Sequence, residues 1–225
     1  MLRFCAIAYF ILAASCAWAQ RSSIGSWYIY FGNQQLSKRW SWHNEVQYRN
    51  FNAVGDLEQL LLRTGLGYNL TPGNNNLLLG YAYIYSEPYT AGTESKGSVS
   101  EHRIFQQLIT RQQFSRFYLQ HRYRLEQRFI EDTDFRMRYR YFLSLNLPLT
   151  NREMVPNTVY LSVYNEIFIH NTSPLYDRNR LYGALGYTIN KYLRAEVGFM
   201  SQLLENGHRE QVQVVLFNNI PFIKD

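Results

Sequence analysis

Arginines set two residues apart, with a carboxylate among them, are the side chains here best equipped for chemistry. Arg122, Arg124, Glu126 and Arg128 fall on one parity, and Arg136, Arg138 and Arg140 repeat the spacing a few residues later. Residues i and i+2 of a β-strand share a face, so this spacing would gather guanidiniums on one surface. Two kinds of chemistry are then open. Arginines balanced by acids close on one another as ion pairs, whereas arginines in excess leave a positive surface that attracts anions. Catalysis is harder to find. A nucleophilic site needs serine, histidine and an orienting group within hydrogen-bond reach, and no serine lies near His121 on its own face. His43 and Glu45 share a parity, but two ligands do not make a metal site. The sequence therefore assigns no catalytic residue, no cofactor and no metal. It carries no phosphate loop, dinucleotide fingerprint or nucleic-acid motif. Its net charge of +6 is spread over many segments rather than gathered in one patch, which argues against nucleic acid as a partner.

The elements that must position these charges are strands. After Ser23 the chain falls into segments with period-two alternation, separated by turn-like stretches. Trp40, Trp42, Val46 and Tyr48 oppose Ser41, His43, Glu45, Gln47 and Arg49. Leu60, Leu62, Leu66, Tyr68 and Leu70 oppose Gln59, Arg63, Gly65, Gly67 and Asn69, and a Thr-Pro-Gly-Asn turn at 71–74 follows. Phe117, Leu119, Tyr123, Leu125 and Phe129 back the first arginine run, and Met137, Tyr139, Tyr141, Leu143, Leu145 and Leu147 back the second. A soluble β-sandwich also alternates, with lysine, threonine and serine facing water. Here the polar face is dominated by Arg, Gln, Glu and Gly, and Trp and Tyr stand near segment ends, as in the aromatic girdles of a membrane barrel. Such a barrel also reconciles a mean hydropathy of −0.34 with an aromatic content of 16% and 19 tyrosines, because only alternate residues meet lipid.

The first residues point to export. Arg3 precedes an apolar run from Phe4 to Ala14, and Ala17-Trp18-Ala19 has the small-x-small form of a cleavage site. The run is too short to span a bilayer as a helix and reads as a signal peptide over 1–19. A lipoprotein signal ending at Cys16 is the rival, weakened because Ala13 stands where a bulkier aliphatic residue is usual. Both cysteines, Cys5 and Cys16, lie in this segment, so cleavage leaves a cysteine-free domain over 20–225.

The expected fold is an all-β, transmembrane, antiparallel up-and-down β-barrel. Eleven alternating segments can be counted: about 24–35, 40–51, 57–70, 77–86, 101–112, 117–129, 136–147, 157–170, 178–190, 192–204 and 208–219. Single-chain bacterial barrels normally have an even count, so ten or twelve strands are expected. In the first case the segment at 24–35 is not a wall strand. The long polar connection at 87–100 reads as extracellular, and the tight ones near 36–39, 71–75, 113–116 and 190–192 as periplasmic.

Several phrases are shared with a known family: Glu45-Val46-Gln47-Tyr48-Arg49, Glu101-His102-Arg103 with Gln106-Gln107, His121 through Phe129, Asn165-Glu166-Ile167-Phe168, and Asn179-Arg180-Leu181-Tyr182. Over most of the mature chain the sequence resembles the outer-membrane barrel family known as domain of unknown function 2490. The resemblance implies a barrel in the bacterial outer membrane and no assigned activity.

In such a barrel the lumen receives Arg49, Arg63, Arg103, Arg122, Arg124, Arg128, Arg136, Arg138, Arg140 and Arg180, against Glu45, Glu126, Glu166 and Glu196. Glu126 is expected beside Arg138, Arg140 and Arg103, and Glu45 near Arg63. Glycine and alanine at 65, 67, 80, 82, 184 and 186 would leave room for the long side chains. Narrow barrels are filled by side chains, so the leading expectation is a non-enzymatic barrel with a largely filled, arginine-rich lumen and a structural or partner-binding role. A narrow anion-preferring channel is the alternative, and a lipid-modifying enzyme a more distant one. The partners expected are outer-membrane lipids and lipopolysaccharide, with other outer-membrane proteins as further candidates. The acidic turn Glu131-Asp132-Thr133-Asp134 could bridge divalent cations to lipopolysaccharide phosphates, and outward Asn44, His121, Gln127 and Asn165 have no evident purpose.

Overall fold

A computed structural model describes residues 24–71 and 73–223. The expected signal peptide and Cys16 lie outside the described residues. Alternation becomes strand throughout, and no helix occurs among the described residues. The strands are β1 (Ile24–Gln35), β2 (Trp40–Asn50), β3 (Leu57–Thr71), β4 (Asn75–Ser86), β5 (Val99–Phe114), β6 (Phe117–Ile130), β7 (Arg136–Pro148), β8 (Thr158–His170), β9 (Tyr176–Thr188), β10 (Leu193–Leu204) and β11 (Gly207–Asn218). Each is hydrogen-bonded to its sequence neighbours, and β11 returns to β1, closing a barrel.

The barrel has eleven strands, not ten or twelve. An odd number of up-and-down strands leaves the first and last running in the same direction. They can close only as a parallel pair, and β1 and β11 do so in register from Ile24↔Glu210 to Gly32↔Asn218. The evenness expected from the sequence presumes an antiparallel seam. Here the segment at 24–35 is a full wall strand, paired with β2 on its other side.

Register carries the parity of each strand around the ring. Arg49 faces Trp27 on β1, Glu45 faces Arg63 on β3, and Glu126 faces both Phe105 on β5 and Arg138 on β7. Inward residues are buried and outward ones exposed: Glu45, Arg63, Arg124, Glu126 and Arg140 lie inside, whereas Leu79, Leu185 and Val197 are 59%, 60% and 58% exposed on the outer face. Removing such a side chain from water is worth roughly 1.5–3 kcal/mol.

The interior is less uniformly polar than alternation implies. Trp27, Ile29, Tyr182, Ala184, Met200 and Val215 form an apolar patch on the β1, β9, β10 and β11 wall. Leu61, Leu78, Ala82, Ile84 and Phe105 form a second on β3–β5. Two inward glycines make room for rings rather than for arginines: a Cβ at Gly80 would strike Phe105, and one at Gly186 would strike Tyr160, whereas Gly65 lies against Leu78 and Gly67 against Ser41 and Asn76.

Candidate functional site: the barrel lumen

Glu126, wholly buried, gathers four arginines. Its carboxylate receives Arg138 Nη2 and Arg140 Nη1 from β7, both at 2.6 Å, with Arg103 Nη1 of β5 at 3.7 Å and Arg124 Nη1 at 3.6 Å. The pairing follows from register, since Glu126 lies opposite Arg138 and beside Arg140 on the same face. Arg140 carries the network onward, also donating to Glu166 on β8 at 2.6 Å. Glu166 in turn holds Arg122 at 2.7 Å and Arg180 at 3.7 Å. Toward the end bearing connection 87–98, Glu101 binds both Arg103 and Arg128 at 2.6 Å, and Asp177 binds Arg138 at 3.0 Å. Glu45 stands somewhat apart, paired with Arg63 at 2.5 Å and with His43 at 3.4 Å.

Aromatic rings floor this network. Phe168, 1% exposed, lies beneath the guanidiniums of Arg138, Arg140 and Arg180 at 5.2, 4.4 and 4.6 Å, and Phe105 lies 4.6 Å from that of Arg124. Trp27 is held between Arg49 at 3.7 Å and Arg180 at 4.9 Å. The ring quadrupole supports a cation where carboxylates run short. Arg49 forms no ion pair among the described residues and donates to Gln59 at 2.6 Å and to Gln47.

Toward the tight-turn end the filling stops. A cavity of about 700 Å³ reaches inward from Lys38, Gly73 and Asn219 to Trp27 and Arg49. One wall is the apolar patch with Phe31 and Phe217; the other carries Arg111, Gln120, Arg122, Arg124 and Asn146. Arg111 and Arg194 both line it and repel each other, and neither forms an ion pair among the described residues. The nearby carboxylate of Glu196 is taken up by the hydroxyls of Tyr160 at 3.0 Å and Tyr182 at 3.4 Å.

Of the lumenal residues named from sequence, Glu45, Arg63, Arg103, Arg122, Arg124, Glu126, Arg128, Arg138, Arg140, Glu166 and Arg180 each join an ion pair, whereas Arg49 is held by glutamine amides and Glu196 by tyrosine hydroxyls. Arg136 instead is exposed at the start of β7. Sequence reading missed Glu101, Asp177, Arg111 and Arg194. Parity with Arg103 marks Glu101 and Arg111, and parity with Glu196 marks Arg194. Asp177 falls one residue before the segment as drawn from sequence.

The outward polar residues also acquire partners. Asn44 donates to Gln34 at 2.5 Å, Trp42 to Thr64 at 2.8 Å and Asn165 to Asn179 at 2.6 Å. Gln106 and Gln127 exchange amides, the better bond being 3.1 Å. His121 meets the Tyr141 hydroxyl at 2.9 Å and His102 meets that of Tyr81 at 2.5 Å. Ser100 shares the outer face with His102, yet its hydroxyl lies 3.3 Å from Tyr83. In the acidic turn, Glu131 accepts a bond from the Ser100 backbone at 3.0 Å.

The profile of a family described as protein of unknown function (DUF2490) covers residues 24–213. No curated protein and no solved structure matches the chain.

Proposed function

The chain belongs to that family of unknown function, and from its geometry we propose a bacterial outer-membrane barrel that neither conducts nor catalyses, but holds a ligand or partner. The observation that carries this reading is the Glu126 network. A carboxylate with no exposed surface, four arginines within 4 Å and the buried rings of Phe105 and Phe168 obstruct the half of the lumen nearer connection 87–98. A pore needs a continuous wet path, and a packed ion network removes it.

The membrane location is supported by the outer face. Hydrocarbon offers polar groups no water, so every one must find a partner within the protein. Gln106–Gln127, Asn165–Asn179, Asn44–Gln34, His121–Tyr141 and Trp42–Thr64 meet that demand among exposed leucine, valine and tyrosine. In this reading, residues 1–19 are removed on export, lipids and lipopolysaccharide surround the wall, and the tight turns face the periplasm. Catalysis is disfavoured because His102 and His121 bind tyrosine hydroxyls rather than serine.

Purified protein in planar bilayers tests the reading. It should fractionate with outer membranes, migrate faster on a gel when unboiled, and pass no reproducible current. Recovery as a soluble periplasmic protein removes the membrane assignment, and steady conductance removes the closed lumen.

A further inference from the structure

We propose that the open half of the lumen is a binding site for a single amphiphilic anion, entered from the tight-turn end. The proposal rests on the closed-barrel reading above and adds the chemistry of what the cavity takes.

Three observations converge. The first is unbalanced charge: Arg111 and Arg194 line the cavity near its mouth, repel each other and have no ion-pair partner among the described residues. An anion placed between them replaces that repulsion with two attractions. The second is unused donors. Arg124, 4% exposed, leaves Nη1 without a hydrogen bond, its nearest carboxylate standing 3.6 Å away, and Arg122 leaves Nε unbonded. Both line the same wall of the cavity as Arg111. A buried donor without a partner is costly, and an anionic head group beside Arg111 would supply one to Arg122.

The third observation sets the rest of the ligand. Opposite Arg111, Arg122 and Arg124 lie Ile29, Phe31, Val215 and Phe217, leading inward to Trp27, with Arg194 against Phe217 on that same wall. A small hydrated anion would leave this wall unfilled, whereas an apolar chain or ring covers it. Phe31 and Trp27 are four residues apart, so the apolar wall runs about 13 Å along β1 at about 3.3 Å per residue. The cavity, at about 700 Å³, has the size of sites that enclose a drug-sized molecule, roughly 300–1,000 Å³. The ligand class is therefore a carboxylate, phosphate or sulfate on one apolar body, with the head near Arg111, Arg122 and Arg194 and the body directed toward Trp27.

Trp27 supplies the readout. With Trp18→Phe, Trp40→Phe and Trp42→Phe it is the only tryptophan left in the chain. Reconstituted in lipid nanodiscs, this variant should show saturable fluorescence quenching by 11-bromoundecanoate. Bromine dissolved in the bilayer meets the outer wall, whereas Trp27 faces the lumen. Adding Arg111→Gln and Arg194→Gln should weaken the apparent affinity at least tenfold, and 11-bromoundecanol should give no saturable quenching. Equal quenching by the acid and the alcohol would overturn anion recognition. Quenching that never saturates, or none at all, would overturn binding, and full displacement by inorganic phosphate would overturn the apolar half of the ligand. Conductance of the same protein separates the two readings. A silent protein that is not quenched loses only the site, and a conducting one loses the closed barrel whether or not it is quenched.

Discussion

The two ends of the lumen use the same residue in opposite circumstances. Toward connection 87–98, Arg103, Arg128, Arg138 and Arg209 each reach a carboxylate at 2.6 Å. The connection itself is pinned there by Lys96, which binds Asp56 at 2.5 Å and lies over the rings of Phe51 and Tyr89. Partial burial works to lower the Lys96 pKa, but the hydrogen bond and charge of Asp56 outweigh it and raise the value. Toward the tight turns, Arg111 donates to the Gln120 amide at 3.1 Å, Arg194 lies against Phe217 at 4.8 Å, and neither forms an ion pair among the described residues. What separates the crowded half from the open one is where the carboxylates go: Glu196, on the same strand face as Arg194, is taken up by the hydroxyls of Tyr160 and Tyr182 rather than by an arginine.

The sharpest way to break this contrast is to remove the acid at its centre. Glu126→Gln leaves four guanidiniums sharing a neutral amide. Taking one partner from a buried ion network costs about 3–5 kcal/mol, so denaturant unfolding in lipid should show a loss of that order. Glu131→Gln, in the turn after β6, gives up one bond to a backbone amide and should fall well short of it. Equal losses would mean that the network does not hold the closed half together.

A smaller effect is expected where rings floor the network. Gly80→Ala would drive a methyl group into Phe105 and to 2.8 Å from the Thr64 carbonyl. Overpacking of this kind costs about 1–3 kcal/mol. Phe105→Leu in the same chain should recover part of the loss, a coupling visible only in a double-mutant cycle. Smaller again is the outer wall. Gln106→Leu leaves Gln127 without its partner and should cost about 1–2 kcal/mol in a bilayer, whereas replacing both with leucine should be nearly neutral. If the single and double variants behave alike, that face does not lie in hydrocarbon.

Much of this was legible from parity. Alternation located all eleven strands to within a few residues, and i,i+2 spacing put Glu126 among its arginines before register was known. Parity says nothing about the partner across the seam, so the parallel closure of β1 on β11 had to come from the structure. It also says nothing about depth. Arg111 and Arg138 look alike in sequence, but one lies near an open mouth and the other between Glu126 and Asp177. Inward Trp27, Phe105 and Phe168 were obscured for a related reason: an apolar residue on the polar parity has no evident place until Trp27 and Phe105 are seen to join the two inner patches and Phe168 to lie under arginines.

The smallest expected effect is the most discriminating, because its sign separates the two ends. Arg140→Gln removes the link between Glu126 and Glu166 and should cost several kcal/mol, on the same reasoning as Glu126→Gln. Arg111→Gln makes the identical chemical change but removes one repulsion and a single hydrogen bond to Gln120. Its stability should stay within about 0.5 kcal/mol of the parent protein, as is usual for a site outside a buried network. Salt then reveals the repulsion. At 1 M ionic strength the screening length falls to about 3 Å, against about 10 Å at 0.1 M, so charges facing an open mouth are screened while the sealed network is not. The parent protein should gain stability as salt rises, and Arg111→Gln should gain less. If instead both proteins respond to salt alike, the Arg111–Arg194 repulsion does not act on folding, and the open half of the lumen is no more strained than the closed one.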